Sequence, residues 1–244
     1  DCLLSRGLGD VYKRQLLNNV KTGDYVEIPT PNEVSNYLPS YRYAQIYYED
    51  DDLAIVMKPK GVKTHPNDLK ESNTLMNHVI YTVDSEYVEP IHRLDQETVG
   101  LLIVAKNPLM KKILDRMLEY NEITRIYKAN VKALLPIKSQ TIDMPIGKDK
   151  FHSNKRRISN TGQRAITHII DSKMIKEGVC QLDIKLDTGR THQIRVHLAE
   201  IGHPVIGDPL YGTSTLRQLE LNSHQIEFTH PLTQEIISVS LDDK

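Results

Sequence analysis

The chain has 244 residues, 39% hydrophobic and 26% charged, with a net charge of −1, no tryptophan and only two cysteines. That length supports one large domain or two small ones, and no run approaches the roughly 18 apolar residues of a membrane span. Balanced charge gives no global sign of a nucleic-acid partner. Cys2 and Cys180 exclude a disulfide framework or zinc knuckle and fit a reducing compartment.

The opening "DCLLSRGLGDVYKRQ" lacks the basic start and long apolar stretch of a signal peptide, so a cytoplasmic protein without membrane contact is expected. Residues 1–44 read as poorly anchored, with "VKTGDYVEI" as a turn and short strand and "PTPNEVSNYLPS" as a linker. From Tyr47 the apolar pattern becomes dense. "LAIVMKP" is a buried strand stopped by Pro59 and Gly61, and "SNTLMNHVIY" is a short helix capped by Ser72 or Asn73.

"PIHRLDQETVGLLIVAKN" sets Asp95 beside His92 and Arg93, ahead of the most apolar strand of the chain, "GLLIVA". In "NPLMKKILDRMLEY", Asn107 caps a helix, Pro108 takes its first position, and Met110, Ile113, Leu114, Met117 and Leu118 form one apolar stripe. "IYKANVKAL" alternates as a half-buried strand, with Tyr127, Ala129, Val131 and Ala133 on one face. "GKDKFHSNKRRISNTGQR" carries Lys148, Lys150, Lys155, Arg156, Arg157 and Arg164 against the single acid Asp149, either as a solvated loop or as a phosphate-contacting one.

"MIKEGVCQLDIKL" is a hairpin turning at Glu177-Gly178, with Cys180, Leu182, Ile184 and Leu186 inward. "DTGRTHQIRVHLAEIG" is a turn and then a helix capped by Thr191 and closed by Gly202. Ile194, Leu198 and Ile201 form its core face, and His192, Arg195 and Ala199 another. "HQIEF" and "IISVSL" return to strands, which makes an α+β domain with a mostly antiparallel sheet.

Several chemistries lack their residues. His192 and His197 are five apart and so do not share the i, i+4 face of helical zinc ligands. Asp95 and Glu97 are only two apart, and nothing marks a second carboxylate for glycoside hydrolysis. Neither a G-x-S-x-G elbow nor a G-x-x-x-x-G-K-[ST] loop is present. What remains is Asp95 in basic company and a second basic cluster at Arg190, His192 and Arg195. Residue types alone leave Asp95 equally suited to a buried ion pair and to catalysis.

The motifs themselves carry a resemblance. "HRLDQETVGLLIVAKN" is similar to the signature of the RluA-type pseudouridine synthases, the ribosomal large subunit type. In the same order, "YEDDDLAIVMKPKGVKTHP", "RIYKANV", "TGQRAITHI", "LDTGRTHQIRVHLAEIGHPVIGDPLYG" and "FTHP" resemble further blocks of that family, from about Tyr47 to the C-terminus. The resemblance places the catalytic aspartate on Asp95, the active-site tyrosine on Tyr127 and the active-site arginine on Arg195. Val99 stands where the family usually has serine, and Asn222-Ser223 where it usually has His-Ala; both departures lie off those three positions and bear on packing or substrate preference. "VKTGDYVEI" resembles only the last strand of an alpha-L type RNA-binding domain. Residues 1–44 are therefore expected to be a non-native-looking leader, domain remnant and linker, and residues 45–244 a catalytic domain.

The resemblance implies an isomerase that breaks the bond from uracil nitrogen 1 to ribose carbon 1 and rejoins the base through carbon 5, with no cofactor and no metal. The partner would be RNA, most commonly 23S ribosomal RNA and alternatively transfer RNA, and the chain a monomer. The target uridine would be flipped out at a cost of a few kcal/mol. Arg195 is then the counter-charge that keeps Asp95 ionised in an enclosed pocket, and Tyr127 packs on the base. His92, Arg93, Arg190, His192, Lys155, Arg156 and Arg157 are the candidate RNA contacts. An inactive RNA-binding protein on the same scaffold and an enzyme of free nucleosides are the rival readings.

Overall fold

The computed structural model describes residues 33–68, 70–212 and 218–243. The leader over residues 1–15 and the strand expected in "VKTGDYVEI" lie outside the described residues. In chain order the elements are β1 (Gln45–Glu49), β2 (Leu53–Lys58), α1 (Leu75–Thr82), β3 (Glu89–Pro90), β4 (Val99–Ala105), α2 (Pro108–Glu119), β5 (Thr124–Lys132), β6 (Gln140–Asp143), β7 (Ile146–Lys148), β8 (Arg156–Ile158), β9 (Ile166–Lys176), β10 (Val179–Leu186), α3 (Gln193–Glu200), β11 (Leu221–Thr229) and β12 (Ile236–Ser240).

The main sheet runs β1-β2-β4-β11-β5-β10-β9-β6, with β12 added on β11 and β3 on β4, while β7 and β8 form a separate hairpin. Its pairs are antiparallel except β4 with β11. This is the α+β architecture expected. β2 and β4 read as continuous apolar runs because helices cover both sides of them. Ala54, Val56, Leu102 and Val104 pack in one core with Leu75, Met76 and Val79 of α1. Leu53, Ile55, Leu101 and Ile103 pack in the other with Met110, Leu114 and Met117 of α2. Each fully buried leucine among them contributes about 2 kcal/mol. β5 and β10 alternate instead, and their buried rows, Tyr127, Ala129 and Val131 with Cys180, Leu182 and Ile184, meet Ile194 and Leu198 of α3.

Asn107 caps α2 as expected, its Oδ1 accepting from the Met110 N–H at 2.8 Å, with Pro108 following. The other two caps differ from expectation. At α1 the cap is Thr74, not Ser72 or Asn73: Asn77 Oδ1 accepts from both the Thr74 N–H and hydroxyl, whereas Asn73 turns its amide oxygen to His78. At α3 the cap is His192, not Thr191, and it sits in the left-handed region at φ 59. Gln193 Oε1 shapes that turn by accepting from the Thr188 hydroxyl and the Arg190 N–H.

Residues 33–44 form no regular element, yet the expectation of poor anchoring is corrected for them. The Ser35 hydroxyl exchanges hydrogen bonds with both backbone groups of Val88, Leu38 O accepts from Asn77 Nδ2, and the Ala44 N–H donates to Thr82 Oγ1. Backbone groups that would otherwise be lost from water are satisfied against α1 and β3.

The parallel contact of β4 with β11 is two residues long, Val99 against Asn222 and Gly100 against Ser223. Both departures from the family pattern therefore face each other across one strand pair. Ser223 is also the register partner of Tyr127 on the other side of β11, so one departure adjoins an expected site residue. The strands come so close that a Cβ on Gly100 would stand 2.2 Å from Ser223 O, at a backbone φ of +129 that only glycine adopts readily. Gly100→Ala is expected to cost about 3 kcal/mol and lower the melting temperature by roughly 10 °C. A thermal melt within 2 °C of the parent, on that same rough scale, would show that the strand pair yields where this packing says it cannot.

Candidate active site

A cavity of about 690 Å³ opens between the loop carrying Asp95, strand β5 and the turn leading into α3. The Asp95 loop is held from below on both sides. Thr64 Oγ1 donates to Leu94 O and accepts from the Leu94 N–H, and Gln96 is tied to Gly61 through its backbone oxygen and its side-chain amide. Lys58, fully buried, completes the clamp: its ammonium donates to Pro59 O, Val62 O and Gln96 O at 3.0, 2.7 and 3.0 Å. Burial pulls its pKa down to about 8 against the opposing charges of Asp95 and Glu97. Three carbonyls match the three donors of the ammonium, which explains how a lysine is tolerated at zero exposure.

Arg195 crosses to Asp95 from α3. Its Nε and Nη2 form a two-pronged bond to Asp208 at 2.8 and 2.9 Å, and Nη1 donates to Asp95 Oδ2 at 2.9 Å. Burial works against the charged guanidinium, but the hydrogen bonds and charge of Asp208, joined by Asp95, hold its pKa above the ordinary value. Burial likewise pushes Asp208 up, and the guanidinium with the N–H groups of Leu210 and Tyr211 overcomes it and holds the carboxyl below the ordinary value. Asp95 Oδ1 has no hydrogen-bond partner among the described residues, while Oδ2 is engaged. Arg195 thus orients one oxygen of a carboxylate whose residue lines the cavity.

His192 approaches the same Oδ2 with Nε2 at 3.8 Å. Its Nδ1 lies 2.9 Å from the Tyr211 hydroxyl, which accepts from the Arg156 N–H at 2.8 Å. The direction of the His192–Tyr211 bond follows the tautomer of the neutral ring, since the phenol oxygen can accept from Nδ1 as well as from Arg156 or give Nδ1 its own proton. Burial lowers the His192 pKa, opposed by Asp95 and reinforced by Arg195 and Arg156, which favours that neutral form. Tyr211 also stacks under Arg195, 5.3 Å from guanidinium carbon to ring centre.

The other expected site residues divide into two groups. Tyr127, His92, Arg93 and Arg190 line the same cavity as Asp95, Arg195 and His192. Tyr127 arrives on the buried row of β5, and Arg93 is exposed. His92 is drawn back into the wall, its Nε2 accepting from the Ile103 N–H at 3.4 Å. Lys155, Arg156 and Arg157 lie outside the cavity on the β7–β8 hairpin. Arg156 lines a smaller recess of about 290 Å³ with Lys148, Arg190 and Thr191. Sequence reasoning missed Lys58, Asp208 and Tyr211. The "KP" and "GDPLYG" stretches carried them, but only the fold shows which donors and acceptors they meet.

Among the described residues, one cluster has metal-ligand composition, Asp50, Asp52 and His230, and it stands outside the cavity. Several of its ligand atoms are already used. Asp50 accepts from Tyr48, Asp52 and Leu53, and Asp52 from Asn107. His230 Nδ1 accepts from the N–H groups of Leu232 and Thr233, so the ring proton occupies Nε2, the atom that faces Asp50 at 3.3 Å. That set is held mainly by the turns around it, with His230 Nε2 making no hydrogen bond of its own.

Residues 52–200 match the family model described as RNA pseudouridylate synthase. The chain is 40% identical over 237 residues to the "uncharacterized RNA pseudouridine synthase YhcT" of Bacillus subtilis (strain 168), covering 93% of this chain and 78% of that protein. It is 36% identical over 208 residues to "ribosomal large subunit pseudouridine synthase D" of Nitrosomonas europaea, covering 79% of this chain and 60% of that one. Among solved structures, "human RNA pseudouridylate synthase domain containing 1" superposes with a TM-score of 0.65 at 26% identity, over 82% of this chain and 84% of that chain.

Asp208→Asn keeps the shape and removes the charge that faces Arg195, and it is expected to destabilise the fold by about 3 kcal/mol. Because the folded pKa of Asp208 is depressed, its contribution is present above the unfolded carboxyl value near 4 and is lost as pH falls through the folded value. Urea unfolding from pH 7 down to pH 2 should therefore show a shallower loss of stability in the variant than in the parent. Parallel curves would remove Asp208 as a source of that dependence.

Proposed function

The chain belongs to the RNA pseudouridylate synthase family, and on that premise we propose that Asp95 is its catalytic carboxylate and a 23S ribosomal RNA uridine its substrate. The observation that carries the reading is the asymmetry of Asp95. Arg195 fixes Oδ2, and Oδ1 stays unbonded in a cavity large enough for a nucleotide. The name of the Nitrosomonas relative, a ribosomal large subunit enzyme, supports the choice of RNA.

In this reading the target nucleotide leaves its helix and enters the cavity. Asp95, ionised beside Arg195, acts at the sugar as the bond from carbon 1 to nitrogen 1 breaks. The freed base turns while it is held against Tyr127, and carbon 5 bonds to carbon 1. Carbon 5 then loses its proton and nitrogen 1 gains one, so the product is an isomer. Arg195 aligns Asp95 through a fork that Asp208 fixes, and the His192 ring stands 3.8 Å from the same oxygen. The β7–β8 hairpin, with Lys155, Arg156 and Arg157, positions the RNA backbone and takes no part in the bond changes.

Asp95→Asn should bind RNA about as well as the parent while losing several orders of magnitude in pseudouridine formed per enzyme. Arg195→Lys should restore little of what Arg195→Ala loses, because an ammonium lacks the planar fork. Pseudouridine mapping of ribosomal and transfer RNA after treatment with each protein provides the measurement. Parental turnover by Asp95→Asn would reduce Asp95 to a structural ion-pair partner, and modification confined to transfer RNA would overturn the ribosomal assignment.

Neutralising Lys155, Arg156 and Arg157 together leaves the Arg156 N–H to Tyr211 in place and should weaken RNA binding with little change in turnover at saturation. For single-stranded RNA the log–log salt slope should fall by roughly 0.7 for each phosphate the variant no longer neutralises. An unchanged slope would return the hairpin to the surface.

A further inference from the structure

Arg125 lies two residues before Tyr127 on β5, so both side chains fall on the same row of the strand. Its residue is 5% exposed, and its Nε is buried without a hydrogen-bond partner. It lines the same cavity as Asp95, with Nη1 reaching the turn before α3, 4.0 Å from where a Cβ on Gly189 would stand. The carboxylates of the cavity wall are engaged elsewhere. Asp115 pairs with Lys111, Glu119 with Arg116, Asp187 with His168 and Asp95 with Arg195, and among the described residues none lies within 4.0 Å of Arg125.

A second donor beside it is in the same condition. His92 Nε2 accepts from the Ile103 N–H, so the proton of the neutral ring is on Nδ1, which is buried and has no partner. Burial, and after it the charge of Arg125, hold His92 well below its ordinary pKa, which keeps the ring neutral, and both residues line the same cavity. A buried guanidinium without a counter-charge and a buried N–H without an acceptor are each costly in isolation. Two such donors on one wall of a nucleotide-sized cavity define a place for an acceptor that carries negative charge.

We propose that Arg125 and the Nδ1–H of His92 form a phosphate subsite that seats a phosphodiester of the RNA strand whose uridine reaches Asp95. The proposal rests on the RNA-modifying reading above and adds to it a residue, Arg125, and a chemical group on the substrate. Phosphate fits this wall better than a uracil carbonyl does, because a neutral oxygen would leave the guanidinium uncompensated.

The probes are inorganic phosphate, uridine and uridine 5′-monophosphate, titrated into the full chain and followed by nitrogen-15 NMR. The Arg125 Nε–H resonance of the parent should shift with inorganic phosphate, and the monophosphate should bind about tenfold more tightly than uridine. Arg125→Gln should bring that ratio close to one without weakening uridine, and Arg125→Lys should keep part of it. An Nε–H that ignores phosphate overturns the proposal, as does a ratio preserved in Arg125→Gln. Equal losses for uridine and its monophosphate would assign Arg125 to the base and likewise overturn it. If Arg125→Gln does not fold, the parent titration and Arg125→Lys still decide. These measurements need no turnover, so they fail or succeed independently of the Asp95→Asn result.

Discussion

The guanidinium of Arg195 is the point on which the site depends. It lies between two carboxylates, one of them fully buried, and every one of its three nitrogens donates to an acidic oxygen. Asp208 takes two of those bonds, leaving Arg195 one direction in which to offer the third, and Asp95 stands in it. Removing Arg195 leaves the fully buried Asp208 carboxylate uncompensated out of water, a loss of about 3 to 5 kcal/mol. A carboxylate fixed this firmly has its orientation settled by the fold itself, which is the preorganisation that the proposed role of Asp95 asks for.

That rigidity has a second support and a contrasting neighbour. The Lys58 clamp holds the chain around Asp95 by its backbone, whereas Arg195 holds the side chain, so position and direction are set by separate means. The β7–β8 hairpin is built differently. It makes a two-stranded sheet of its own, and the exposed Phe151 projects near its tip. The Arg156 N–H to Tyr211, and Tyr211 to His192, connect it to the Asp95 carboxylate through three residues.

Much of the fold was legible because its core strands follow simple periods. Apolar runs marked β2 and β4, alternation marked β5 and β10, and an Asn-Pro start with one stripe marked α2. That Asp95, Tyr127 and Arg195 would meet around one cavity was legible only through the resemblance, since an aspartate beside basic residues suits an ion pair as well as a site. The helix caps at Thr74 and His192 were not legible. The side chain of Asn77, three residues on, chose Thr74 over its two polar neighbours, and a left-handed histidine has no propensity signal that would outrank the threonine before it. Lys58 and Asp208 stayed hidden for a related reason. Charged residues are ordinarily surface residues, and their burial depends on partners 38 and 13 positions away in the chain.

The place of β11 in the sheet has a consequence for how the molecule is made. It lies between β4 and β5, so the strands that precede it fall into two groups with no pairing between them across that gap. Asp95 leads into the first group and Tyr127 belongs to the second. A chain emerging from synthesis can build both groups early from local hairpins and helices, but they become one continuous hydrogen-bonded sheet only when residues 221–229 arrive. A nascent chain with both groups folded still lacks the strand that sets β4 and β5 into a single sheet.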